Sequence, residues 1–465
     1  MSLRTAEQYR KALQDGRKVV YQGQWVRDVT AFDEFKTAID HSALGFEIAE
    51  RQPELAVADD GDGPYTAFYK VPRTAEDIAR RGSLIEAVCR LGAGTIVLKE
   101  VGSDALFGLL RGAVGEGLEN ARAFHKYCCD NDVALAVAQS DVKGHRSLGP
   151  TEQDDPDLYV HIVDEDDESI TVSGAKVHTS YSANADELIV LPTRAMGPQD
   201  AAYAVSFAIP VDTPGITLYV SPYLHGEKNS FEHPISSKHK MLESLTVFDR
   251  VRVPKSRVFV NGDTKAATDV ALGFVEYHRF TAVNYKLPLL DLLVGAAMLV
   301  SEANGITKAG HVKAKLTELI TWAETVRGFA ELSSARAKMG ANNVVLPDPL
   351  STNMAKYHFS HGFSRAVSLV LDLAGGLVAT GPGGGDWANP EVRAVLEKYF
   401  AAAVPAEQRL RIINLIGDLC TGLWGGYQAV LATHAEGSVE AEKIQILRSY
   451  DSARARDYAQ SMLDS

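Results

Sequence analysis

The chain has 465 residues, 46% of them hydrophobic, enough for two or three domains and a large core. A net charge of −13 argues against general nucleic-acid binding. The four cysteines (Cys89, Cys128, Cys129, Cys420) lack metal-ligand or disulfide-framework spacing, the first residues lack an apolar leader core, and no apolar run is long enough to span a bilayer, so a soluble cytoplasmic protein without a membrane segment is expected.

In chain order, residues 4–16 predict a short amphipathic helix and residues 17–29 a hairpin around Gln22 and Gly23. Thr30, as N-cap with Asp33 three positions on, predicts a helix to about Ser42. Thr74 with Asp77 as its capping-box partner starts a helix to about Leu91, and two more are expected from Ser103 past Ala113 and from Leu118 to Asp130. Residues 1–133 therefore read as a mainly helical domain.

From Ala134 the periodicity changes. Lys143, His145, Arg146 and Ser147 make a loop dense in groups that bind anions. Leu158, Val160 and Ile162 alternate, a turn follows at 164–168, and Ile170 and Val172 continue a hairpin that carries Lys176, His178, Thr179 and Ser180. Strand segments at 187–196, 202–212, 215–222 and 242–260 predict a compact antiparallel sheet or barrel over 134–265 rather than βαβ units. No dinucleotide-binding glycine motif follows a strand.

Helical patterns return at 266–282, 286–304, 309–340, 349–376, 390–399, 406–432 and 438–462, which reads as a helix bundle over 266–465. The glycine-rich break at 380–391 either cradles a phosphate or ends a helix at Gly381, and Trp387 reads as a loop plug. Ser438 caps the last helical segment. His278 shares a helix face with Ala282 and Tyr285 and is either a base or a hydrogen-bonded structural histidine. Glu243 opens a strand. Lys176, Thr179 and Ser180 either bond a polar ring or face outward.

Five stretches carry a closer resemblance: DVKGHRSLGP (141–150), SGAKVHTSYSANADELIVLPT (173–193), LESLTVFDRVRVPKSRVF (242–259), EYHRFTAVNYK (276–286) and DLAGGLVATGPGGGDWANPE (372–391). EGSVEAEKI (436–444) is a weaker match. Together they resemble the family of 4-hydroxyphenylacetate 3-monooxygenase and 4-hydroxybutyryl-CoA dehydratase, flavoproteins of acyl-CoA dehydrogenase-like fold, and look more like the dehydratase. The resemblance implies an α+β chain with an N-terminal helical domain, a central antiparallel β domain and a C-terminal helix bundle. It implies FAD, with Gln139, Ser140, Arg146, Ser147, Ser180 and Lys286 on the flavin and the loop at 381–385 toward its adenosine diphosphate across a subunit interface. It also implies a homotetramer packed through the C-terminal helices.

The departures narrow the activity. The dehydratase's iron–sulfur histidine matches His278, but its cysteines match Tyr285 and positions near Ile96 and Glu100, and a soft cluster needs thiolates, so no metal is expected. The dehydratase's catalytic tyrosine matches Ala282; its glutamates match Glu243 and Glu436. The phenol-holding residues of the hydroxylase fall at Val101, Ala105 and near Val137. The expectation is a reduced-FAD-dependent monooxygenase of a small organic substrate, served by a separate flavin reductase, with His278 and Glu243 as acid–base or orienting groups. The alternative is a redox-neutral, FAD-containing acyl-CoA isomerase or dehydratase-like enzyme without an iron–sulfur cluster. A third reading, an inactive scaffold, is opposed by the intact 141–182 region.

Overall fold

A computed structural model describes residues 3–463 except 195, 227 and 228. Ala195, near the end of the predicted strand segment 187–196, and the terminal residues 1–2 and 464–465 lie outside it.

The N-terminal helices begin where side chains satisfy their first amides. Helix Ala6–Ala12 carries a capping box between Thr5 and Gln8, and helix Ala75–Leu91 carries the expected Thr74–Asp77 box. Thr30 is not a cap. It closes a turn on Asp28, and the helix runs Asp33–Arg51, well past Ser42, because its apolar stripe continues through Phe46 and Ile48. The next helix starts at Leu98 rather than Ser103, because the Glu100 side chain accepts the Val97 amide at 3.0 Å. Helix Gly115–Asn131 completes this part.

The strands form two main sheets rather than one antiparallel sheet. The larger runs Gln24–Val26, Val19–Tyr21, Ile216–Val220, Glu243–Pro254, Ser169–Ser180, His161–Glu165. The smaller runs Val258–Asn261, Val205–Pro210, Glu187–Val190, Leu135–Ala138. Two pairings are parallel, Val19–Tyr21 with Ile216–Val220 and Leu135–Ala138 with Glu187–Val190. The expected 17–29 hairpin thus forms but extends the central sheet. Leu158 belongs to a short helical turn, so the first strand of the 158–172 hairpin starts at His161.

The expected helices 266–282 and 286–304 are one helix, Thr264–Ala303, with Pro288 inside it. A proline removes one ladder bond, but this one is buried among Leu287, Leu289, Leu290 and Leu293, whose packing sustains the helix. The helix is long and apolar enough to cross a membrane, yet 67% of its most apolar window is buried inside the protein. Helices Gly310–Ala335 and Pro349–Ala374 pack beside it. Helix Leu98–Gly112 crosses it closely: a Cβ on Gly112 would lie 2.5 Å from the Val270 nitrogen. The expected helix 406–432 is divided by a π-helical turn at Gly417–Thr421, and 438–462 divides into Val439–Ser449 and Ser452–Ser461. One apolar core fills the space between sheets and N-terminal helices, with Leu106, Val172 and Phe248. A second, with Leu293, Val326 and Phe359, fills the bundle.

Candidate active site in the cleft beside Glu243

Glu243 is the first residue of a central strand and pairs in register with Ser180, the last residue of the neighbouring strand. Its carboxyl accepts the Tyr427 phenol at 2.6 Å on Oε1, and the Ser180 hydroxyl stands 3.0 Å from each oxygen. Burial pushes the Glu243 carboxyl up to about 7, against the opposing pull of the Tyr427 and Ser180 hydrogen bonds. A carboxyl poised there holds or releases a proton near neutral pH. It opens on a cleft of about 590 Å³ lined also by Val177, His178, Tyr219, Tyr223 and Tyr427, a volume in the range of small-molecule and cofactor sites. The Tyr223 and Tyr427 rings stack, with centroids 4.3 Å apart.

The 139–147 loop is fastened to the strand that forms one wall. Lys176 is buried and donates to Asp141, the Gln139 carbonyl and the Leu191 carbonyl. It thus neither faces outward nor bonds a ring; it is an internal tie. The Val177 amide donates to the Ser140 carbonyl at 2.8 Å. Beyond this anchor Arg146 and Ser147 are exposed, and the Ser147 hydroxyl lies 2.9 Å from His145. His178 has a left-handed backbone (φ 57°), and burial, then Lys143, lowers its pKa.

A second cluster lies where the helical bundle meets the loop after helix Leu423–His434. Glu436, itself left-handed at φ 55°, accepts the Tyr285 phenol at 2.5 Å and the Lys286 ammonium at 2.8 Å, with the Lys356 ammonium 3.9 Å away. Burial drives the Glu436 carboxyl up, but Lys286, Lys356 and His278 outweigh it and hold it at about 2. His278 lies 3.0 Å from Asp104, which also receives Arg81 at 2.6 Å and Thr281 at 2.7 Å. Its ring stacks on Phe274 and keeps partial exposure. His278 is thus hydrogen-bonded, as a structural histidine would be, and still in electrostatic reach of Glu436. The buried Tyr181 phenol donates to the Ile96 carbonyl.

These positions do not fit an iron–sulfur cluster. Tyr285 is committed to Glu436. Glu100 accepts the Cys89 thiol at 3.2 Å, and burial pushes its carboxyl up to about 8, a neutral acid rather than a ligand. Among the described residues, no group of three or more histidines, cysteines, aspartates and glutamates is placed to hold a metal. The glycine-rich loop does not present a free phosphate cradle either. Gly381 N donates to Leu377 O at 2.8 Å, Gly383 N to Asp386 at 3.0 Å, and Gly384 N to Glu232. The helix ends at Gly381, and Trp387 is buried against Phe231. The cleft has the volume of a cofactor site, and two unpartnered polar atoms lie behind the strand and loop beside it. The buried Thr179 hydroxyl, next to His178, and Asp141 Oδ2, at the root of the loop, have no partner among the described residues. Tyr219, Tyr223 and Tyr427 give part of the lining an aromatic surface suited to a planar ring.

The sequence reading assigned Gln139, Ser140 and Ser180 to flavin and Glu243 and His278 to acid–base roles; the structure brings Ser180 and Glu243 together at the cleft, sets His278 beside Asp104, and puts Gln139 and Ser140 at the strand–loop junction. It assigned Lys286 to flavin as well; the structure pairs Lys286 with Glu436, and like Gln139, Ser140, Arg146, Ser147 and Ser180 it lies outside the set of residues that line the cleft. It missed Tyr427, Tyr223, Asp104 and Lys356. Nothing local marks them, since each meets its partner from a remote element.

Helices, then a β layer, then a helical bundle define the acyl-CoA dehydrogenase-like fold. Butyryl-CoA dehydrogenase from Megasphaera elsdenii superposes with TM-score 0.54 at 14% identity, covering 96% of this chain and 98% of that one. Within that fold, the chain belongs to the 4-hydroxyphenylacetate 3-hydroxylase family, whose N-terminal and C-terminal models match residues 5–260 and 267–464. It is 33% identical over 344 residues to the 4-hydroxybutyryl-CoA dehydratase/vinylacetyl-CoA Δ-isomerase of Clostridium aminobutyricum, covering 71% of this chain and 70% of that protein. An oxygen-tolerant archaeal 4-hydroxybutyryl-CoA dehydratase from N. maritimus superposes with TM-score 0.93 at 28% identity, covering 100% of this chain and 95% of that one. The oxygenase component of a 4-hydroxyphenylacetate 3-monooxygenase, complexed with FAD, superposes with TM-score 0.91 at 24% identity, covering 99% and 98%.

Proposed function

We propose that the protein is an FAD-dependent monooxygenase that hydroxylates a small organic substrate, using reduced flavin delivered by a separate reductase. The observation that carries this is the cleft beside Glu243: a space lined in part by tyrosines, with a near-neutral carboxyl on its wall, in a chain of the hydroxylase family. Gln139, Ser140, Arg146, Ser147 and Ser180 would hold the flavin, joined by the unpartnered Thr179 and Asp141 atoms. Lys286, which the resemblance also assigns to flavin, is bonded to Glu436. Bound reduced flavin supplies the electrons that activate dioxygen. Glu243 gives or takes a proton at the substrate, and the tyrosine walls exclude water. Val101, Ala105 and Val137 are buried apolar residues, so the polar anchor that would hold 4-hydroxyphenylacetate is missing from those positions. The four free cysteines suit a reducing cytoplasm. A homotetramer would cover the exposed Tyr458 and Leu463 on the C-terminal arm, where helix Ser452–Ser461 buries nothing in its own protomer.

The test is single-turnover mixing of protein, reduced FAD and isotopically labelled dioxygen with a panel of phenols. Label in the product supports the proposal; flavin oxidation with no labelled product from any substrate defeats it. One observation favours a second reading, a redox-neutral acyl-CoA isomerase. Glu243 has the poise of a base for a carbon acid, and the dehydratase/isomerase relative is 33% identical. That reading requires solvent-hydrogen exchange into an acyl-CoA without oxygen.

A further inference from the structure

The cleft carboxyl has two oxygens in unequal surroundings. Oε1 receives the Tyr427 phenol at 2.6 Å, while the single Ser180 hydroxyl proton is shared at 3.0 Å between Oε1 and Oε2. Tyr427 comes from a remote helix, and its reach is set by two ties. The π-helical turn before it carries Asp418, whose buried carboxylate accepts Ile235 N at 2.9 Å, Ser236 N at 2.8 Å and the Ser236 hydroxyl at 2.6 Å. The same loop returns at Met241, whose amide donates to the phenol oxygen of Tyr223 at 3.0 Å, and Tyr223 stacks on Tyr427. The turn thereby fastens helix Leu423–His434 to the segment that leads directly into Glu243.

We infer that Tyr427 is the positioning residue of Glu243: by reserving Oε1 it makes Oε2 the oxygen that gives and takes the proton at the cleft. This rests on the cleft being the active site. In the carboxylate form Tyr427 donates to Oε1 and Ser180 turns its proton to Oε2. In the acid form the proton sits on Oε2, and passing it to a substrate atom returns the carboxylate with Tyr427 unmoved. Tyr427 itself does not ionise in this exchange. Burial, then the Glu243 charge, holds its phenol well above the ordinary tyrosine range, so it remains a donor throughout. Because its bond favours the charged form of Glu243, removing it leaves burial less opposed.

The experiment is an infrared titration of the Glu243 carboxyl in the purified full-length protein, with E243Q assigning the band. Tyr427→Phe keeps the ring stack and removes the donor. It is expected to raise the midpoint by about one unit or more, the value of one charge-assisted hydrogen bond. Ser180→Ala, a second probe should Y427F not fold, is expected to raise it as well, and by less than Y427F where both fold. An unchanged or lowered midpoint in Y427F overturns the inference. So does an unchanged midpoint in S180A, or one that moves further than in Y427F. The midpoint is read without turnover. A shift seen alongside absent oxygenation would therefore count against the monooxygenase and leave the positioning role standing.

Discussion

Glu436→Gln tests the buried charge cluster most directly. The Glu436 carboxylate is 4% exposed and is bonded by Lys286 at 2.8 Å and Tyr285 at 2.5 Å, with Lys356 nearby. A carboxyl held at about 2, against an ordinary 4.5, corresponds to about 3 kcal/mol of folding free energy at neutral pH. That agrees with the ~3–5 kcal/mol cost of removing one partner from a buried ion pair. Burial, with Lys356 beside it, lowers the Lys286 pKa despite Glu436, so the lysine's own burial offsets part of this figure, which refers to the carboxylate alone. The pKa is depressed in the folded state, so this contribution is complete above about pH 4.5 and is lost as pH falls toward about 2. Denaturant unfolding at pH 7 should show the variant weaker by about 3 kcal/mol, and at about pH 3 more than half of that gap should be gone. Adding Lys286→Met should recover much of the loss, because it removes one ammonium left unpaired. A single variant within about 0.5 kcal/mol of the wild type at pH 7 would refute a buried, ionised Glu436.

Other expectations follow from the same clusters. Glu243→Gln should cost about 10²-fold or more in turnover. The raised pKa of Glu243 makes its contribution to stability fall as pH rises from about 4.5 to about 7, so melting curves should show E243Q the more stable protein above about pH 7. His278→Ala strips Asp104 of one partner and should lower turnover by about 10²-fold; full turnover would remove His278 from the chemistry. Gly112→Ala places a Cβ 2.5 Å from the Val270 backbone nitrogen, which cannot yield as a side-chain tip would, and should cost about 1–3 kcal/mol in chemical denaturation.

The family resemblance was legible in contiguous stretches, and so were the strands that carry Ser180 and Glu243. Their register was not. Ser180 and Glu243 meet because two strands more than sixty residues apart pair edge to edge, and no local pattern encodes that offset. The sheet's parallel pairings were missed for the same reason. Thr30 misled because a threonine before an acidic residue also closes an Asx turn, here on Asp28. The apparent break near Pro288 misled because tertiary burial outweighs one missing hydrogen bond. The helical setting of Lys286 was legible, but not its partner Glu436, which arrives from the loop at 436.

The amino-acid order by itself determined the helix starts at Thr74 and Ser438, the change from helical to strand period at Ala134, and the absence of thiolates at the cluster positions, because each is a matter of residue type or short-range spacing. Only the tertiary structure decided which groups titrate near neutrality. Glu243, Glu100 and Glu436 are the same residue type, and their pKa values diverge to about 7, about 8 and about 2. The difference comes from what folding brings to each carboxyl: two hydroxyls, a thiol and an amide, or a pair of ammoniums in a dry interior.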